Sequence, residues 1–196
     1  MLQIHTFPLG DYQSNTYFVH EADRQDCLII DAGYEPDTIL DNLKLLHLTP
    51  AAILLTHGHF DHVGAVRELV AELDCPVYLC PEDLKLPPMM TAGPLYYTDA
   101  YDEGSILHLA GLTIEVMRTP GHTPGSVCLK IEDCLFTGDT LFAGSCGRTD
   151  FPGGSFQDMQ ASLGRLARIP GDYRVFPGHC GSSTLEQERQ KNPYLR

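Results

Sequence analysis

Six consecutive residues, His57-Gly58-His59-Phe60-Asp61-His62, carry three imidazoles and one carboxylate. Neutral imidazole nitrogens beside a carboxylate oxygen form a donor set that suits zinc or iron. A lone histidine is more often a surface or core residue than a ligand, and His5, His20, His47 and His108 are read that way. Four ligand-capable side chains within six residues are read as a metal site. In extended backbone His57 and His59 project to the same side, and Gly58 lets the chain pass close. Asp61 and His62 fall at the start of a helical pattern, where a carboxylate also favours the helix N-terminus.

Three later segments repeat one design, a short strand running into a glycine-containing turn with a single ligand-capable residue. They are Thr119–Ser126 with His122, Leu135–Thr140 with Asp139, and Val175–His179 ending on His179. Each alone reads as a tight turn in which Gly and Pro set the backbone. Together they supply the donors that a second metal would need.

These turns need strands to position them, and short apolar runs occur in the right places. Tyr17–Val19, Cys27–Ile30, Ile53–Leu55, Val77–Leu79, Leu112–Val116, Val127–Leu129 and Arg174–Phe176 read as strands. Helical spacing appears over Thr38–Leu46, Val63–Leu73, Phe156–Ile169 and Thr184–Lys191, while residues 105–140 read as an antiparallel meander. Sheets covered by helices follow, an α/β layered domain. Residues 87–104 form the longest irregular stretch, of the kind that often serves function.

The chain's 196 residues suit one well-buried domain. A net charge of −13 argues against tracking a nucleic-acid backbone. No apolar run approaches the roughly 20 residues that span a bilayer. The N-terminus lacks the basic and apolar regions of a signal peptide. Seven cysteines with no Cys-x-x-Cys pairing fit reduced thiols. A cytoplasmic location is the expectation.

The sequence resembles the metallo-β-lactamase superfamily, and within it the glyoxalase II (hydroxyacylglutathione hydrolase) group. The matching motifs run in the family's order from the Asp31-Ala32-Gly33 turn to His179. The resemblance implies a four-layer αββα sandwich, one domain over residues 1–196. It implies one metal on His57, His59 and His122, a second on Asp61, His62 and His179, and Asp139 bridging them. Asp31 would orient a ligand imidazole. Longer members of the group carry a C-terminal helical domain that binds glutathione. Only 17 residues follow His179 here, so the chain looks like the shorter bacterial type.

The chemistry expected from such a pair of divalent ions, zinc first with iron or manganese as alternatives, is attack of a metal-bridging hydroxide on a thioester carbonyl. Asp61 would bind metal and orient the nucleophile. The expected substrate is S-lactoylglutathione or a related small acyl thioester, with no nucleic-acid or membrane partner. Arg148, in Cys146-Gly147-Arg148-Thr149-Asp150-Phe151, could meet a substrate carboxylate or simply pair with Asp150. Two alternatives stay open. One is a persulfide dioxygenase using a single iron on His57, His122 and Asp139. The other is a metal-binding module without catalysis.

Overall fold

The computed structural model describes residues 1–195, and strand alternation explains its layering. The first sheet runs in order β1 (Leu2–Leu9), β2 (Ser14–Glu21), β3 (Asp26–Ile30), β4 (Thr49–Leu54), β5 (Val77–Leu79) and β6 (Asp99–Ala100). Its first three strands are antiparallel and β3 to β6 are parallel. The second sheet begins with a meander of β7 (Ile106–Leu109), β8 (Leu112–Arg118), β9 (Val127–Ile131) and β10 (Cys134–Gly138). A small hairpin of β11 (Leu141–Phe142) and β12 (Ser145–Cys146) stands apart, and β13 (Arg174–Pro177) and β14 (Ser183–Thr184) complete the second sheet.

Successive side chains point to opposite faces of a strand. Tyr17, Val19, Leu28, Ile30 and Leu54 therefore meet Ile114, Val116, Leu129 and Phe136 from the other sheet in a core between the two. The alternate residues Phe18, Ile29, Ile53, Leu55 and Val77 face outward, where helix α1 (Pro36–Leu46) covers them with Ile39 and Leu43. Val66 and Leu69 belong to that cluster too, from α3 (Val66–Glu72). On the far side, Cys128, Leu135 and Val175 pack under α5 (Phe156–Ala167) and α6 (Leu185–Lys191). Helix, sheet, sheet, helix is the expected four-layer arrangement. Each fully buried large apolar side chain contributes roughly 1.5–3 kcal/mol to holding it.

The outer helices are locally specified. Met159, Ser162, Leu163 and Leu166 form the buried stripe of α5, and Ser155 caps it by accepting the Asp158 N–H. Pro36 opens α1, where its missing N–H does no harm.

Two expectations change. The helix read over Val63–Leu73 is two pieces, α2 (Phe60–Val63) and α3. The break lies where Ala65 N–H bonds Ala32 O, and a Cβ on Gly64 would come within 2.6 Å of Gly33 O. This close packing seats the 57–62 turn on the Asp31–Gly33 turn. The stretch 87–104 is not irregular throughout. It contains α4 (Pro88–Thr91) and β6, which extends the first sheet.

The candidate metal centre

All the segments singled out by their turns emerge from strand ends along one rim. The 57–62 turn follows β4 of the first sheet. His122, Asp139 and His179 follow β8, β10 and β13 of the second, three strands that point the same way. The rim is stitched across the sheets by Val127 N–H to Thr56 O, at 2.9 Å. Because carboxyl ends of strands leave backbone groups and side chains free to converge, this is where a layered α/β fold can build a site.

The seven side chains expected there do converge. His57, His59 and His122 form one group of donor atoms lying within 4.8 Å of one another. Asp61, His62 and His179 form another, and His57, His62 and Asp139 a third. Asp139 lies between them: its Oδ2 is 3.4 Å from His122 Nε2 and 3.5 Å from His179 Nε2, while its Oδ1 is 3.5 Å from His62 Nε2. His5 and His20 do not join the cluster. They stack on each other across β1 and β2, with facing Nε2 atoms 3.2 Å apart, so they are less solitary than their sequence positions imply.

The donor set fits metal ions. His57 Nε2 and Asp139 Oδ1 are buried and have no hydrogen-bond partner, a state that normally costs about 1–3 kcal/mol per group. His59 Nδ1 and His122 Nε2 face each other at 2.8 Å. A cation held by both would satisfy both lone pairs.

Charge within the cluster is uneven. Burial, then repulsion from His122 and His62, pushes the His59 pKa down to about 4. Burial and the other imidazoles hold His57 well below the usual histidine range. Burial also opposes the charged form of His62, but Asp139, Asp31 and Asp61 outweigh it and raise its pKa to about 9. Asp61 is disfavoured by burial, yet His179 and His62 hold its carboxyl far below the usual range.

An outer layer of hydrogen bonds aims these side chains. Asp31 meets His62 Nδ1 at 2.9 Å and accepts Thr56 N–H and Oγ1–H at 2.7 and 2.8 Å. It does so from a left-handed backbone, φ 56°, a strained state for a non-glycine residue. Thr56 Oγ1 lies 3.1 Å from His57 Nδ1. Arg148 O meets His122 Nδ1 at 2.8 Å, and Tyr12 O meets His179 Nδ1 at 3.1 Å. Such partners fix ring orientation and tautomer.

Asp83 escaped the sequence reading. It is fully buried in the 3₁₀ turn Pro81–Lys85 and accepts Gly58 N–H at 2.7 Å, Gly125 N–H at 2.6 Å and Thr123 Oγ1–H at 2.9 Å. It thereby ties the turn bearing His57 and His59 to the turn bearing His122. Burial raises its pKa against the pull of these three donors. An acid after proline at a helix start reads as an ordinary first-turn residue, so the sequence carries no signal for this role.

A cavity of about 550 Å³ opens over the cluster, lined by Tyr12, Phe60, Met90, Phe142, Cys146 and Phe151 besides the site residues. Arg148 is the sole cationic side chain among its lining residues apart from the histidines. Its Nε and Nη2 donate to Asp150, each at 2.7 Å, and the guanidinium carbon lies 3.8 Å from the centre of the Phe151 ring. A larger cavity of about 610 Å³ lies against α1 and β4, far from these residues, and gathers no comparable donor set.

Residues 9–179 match the family model of the metallo-beta-lactamase superfamily. The chain belongs to that superfamily. Hydroxyacylglutathione hydrolase GloC of Haemophilus influenzae is 33% identical to it, over 99% of this chain and 98% of that one. A solved structure of TTHA1623 in a di-iron-bound form superposes with a TM-score of 0.85, at 39% identity, covering 97% of this chain and all of that one. The BLEG-1 B3 metallo-beta-lactamase superposes equally well, TM-score 0.85, at 35% identity, with 100% and 99% covered. Membership agrees with the αββα layering and with a His/Asp cluster at the strand ends. Among the described residues, no helix is long and apolar enough to cross a membrane.

Proposed function

We propose that this superfamily member is a binuclear metal-dependent thioester hydrolase of glyoxalase II type. S-lactoylglutathione or a related small acyl thioester is its substrate, yielding a carboxylic acid and a free thiol. The observation that carries the reading is Asp139, whose Oδ2 faces His122 on one side and His179 on the other at nearly equal distances. His57, His59 and His122 would hold one ion, Asp61, His62 and His179 the other, and Asp139 would be common to both. The name of the Haemophilus relative supports the substrate class. Zinc suits the donor set, and the di-iron form of a 39% identical neighbour makes iron the next choice.

Bound there, two divalent ions supply Lewis acidity toward a carbonyl oxygen and bring the pKa of water toward neutrality. The chain's own residues do the rest. Asp61 Oδ2 accepts from Ser14 Oγ at 3.2 Å and sits 3.3 Å from His179 Nε2, so its carboxylate is held in place to orient a nucleophilic water. Asp31 and Thr56 fix His62 and His57 against rotation. Tyr12, Phe60, Met90, Phe142 and Phe151 give the cavity apolar walls that displace bulk water from the acyl group. A thiolate leaves without a strong general acid, and no lysine or tyrosine needs to reach it.

The mononuclear dioxygenase reading would leave Asp61, His62 and His179 without work, although they too form a complete three-donor group. The discriminating measurement pairs metal analysis of freshly purified protein with turnover. Close to two ions per chain and hydrolysis of S-lactoylglutathione support the proposal. One iron per chain with oxygen uptake on glutathione persulfide would overturn it. A β-lactam tested alongside shows whether the BLEG-1 likeness extends to amide opening.

A further inference from the structure

The two donor groups are braced by different parts of the chain. The first is tied by Asp83 and Thr56, as described. The second depends on the N-terminal hairpin, and most of that dependence passes through one buried side chain. Asn15, the second residue of β2 and 2% exposed, donates its backbone N–H to Gly178 O at 2.7 Å. Its side-chain amide donates to Pro177 O at 3.0 Å and to Cys180 O at 2.9 Å. Asn15 therefore grips the carbonyls on both sides of His179. Its neighbours act on the same group: Ser14 bonds Asp61, Tyr12 O receives His179 Nδ1, and Tyr17 Oη–H adds a second bond to Pro177 O at 2.5 Å.

The turn that carries His179 needs such a grip. It leaves β13 through Gly178 and continues into Cys180, whose backbone is left-handed at φ 67°, a conformation that a non-glycine residue keeps only when its surroundings impose it. Without the two amide donors, Cys180 O would lose its hydrogen-bond partner and Pro177 O would keep only Tyr17 Oη–H, and the turn could relax into space toward Gly181 and Ser182, where a cavity of about 490 Å³ adjoins Asn15 and Cys180. The bonds described for Asn15 reach neither His57, His59 nor His122.

We infer that Asn15 is a positioning residue for the second metal ion and sets whether the chain binds one ion or two. This rests on the binuclear reading above. Loss of the amide releases His179 and weakens the group of Asp61, His62 and His179, while the group of His57, His59 and His122 keeps its ion. Outer-shell partners of this kind typically change metal affinity by ~10–100-fold.

The test is titration of metal-free protein with Co(II), read by its visible absorption, and with Zn(II) by competition against a chelator of known affinity. Wild type should take up two ions per chain. Asn15→Ala should bind the first ion with wild-type affinity and the second ~10–100-fold more weakly. Asn15→Asp should be at least as impaired, because a carboxylate cannot donate to two carbonyls. Circular dichroism of the metal-free variants checks that they fold. Should Asn15→Ala fail to fold, Tyr17→Phe, which removes only the second bond to Pro177 O, should weaken the second ion alone and by less. Equal weakening of both ions, or no change in either, overturns the inference. A wild-type protein that binds a single ion overturns the binuclear reading instead, and this inference with it.

Discussion

The Asp83 carboxylate accepts the backbone N–H of Gly58 at 2.7 Å across 25 residues of sequence. Through that bond and those from Thr123 and Gly125, one buried side chain sets the spacing between the His57–His59 turn and His122. Both carboxylate oxygens are occupied by donors, which makes the position intolerant of even an isosteric change.

Asp83→Asn replaces one acceptor with an amide that faces an N–H or a hydroxyl. We expect ~10–100-fold weaker binding of the ion on His57, His59 and His122, with the second ion less affected. Zinc competition titration measures this. Unchanged affinity would mean that the two turns keep their spacing without Asp83.

Asp139→Ala removes the oxygen shared between the two groups. Metal content should fall at both positions and thioester turnover should be lost with it. Metal analysis beside a hydrolysis assay decides the matter. A variant with near-normal activity would show that the bridging assignment is wrong.

The metal-free protein should be most stable near pH 6.5 and lose stability on both sides. Below that, the unfolded chain protonates its histidines while folded His59, with its pKa pushed down to about 4, refuses the proton. Stability present above 6.5 is therefore lost as pH falls toward 4. His62 acts in the opposite window. Its folded pKa of about 9 stabilises the protein below 6.5, and that contribution disappears as pH rises through 9. Chemical denaturation of chelator-treated protein across pH 4–9 reads out the profile, and a flat curve would contradict it.

Arg148 spends two donors on Asp150 and its face on Phe151, leaving Nη1 without a hydrogen bond to the described residues. If Nη1 meets the thiol half of the proposed thioester, Arg148→Ala should raise KM about tenfold with kcat little changed. A fall in kcat with KM constant would instead assign Arg148 to holding the 146–151 loop, whose Arg148 carbonyl supports His122.

Much of this protein is decided by its sequence alone. Local pattern is enough for the alternation that sorts Tyr17 from Phe18 and Leu129 from Cys128 onto opposite faces, because side-chain direction in a strand follows from position alone. It is enough also for the seven candidate ligands, whose residue types and glycine turns are written in four short segments. The roles of Asp83, Asn15, Ser14 and Tyr12 lay beyond it. Their chemistry is ordinary in one dimension: an acid after a proline, an amide in a strand, a serine and a tyrosine at a hairpin. They acquire function only when neighbouring strands pair within a sheet and the two sheets close face to face, bringing residues 25 and 162 positions apart within hydrogen-bond reach. Which donors gather at the rim is a property of composition and spacing. How firmly each group is held is decided by long-range contacts, because a buried hydrogen bond depends on where two chain segments meet and not on what either one is.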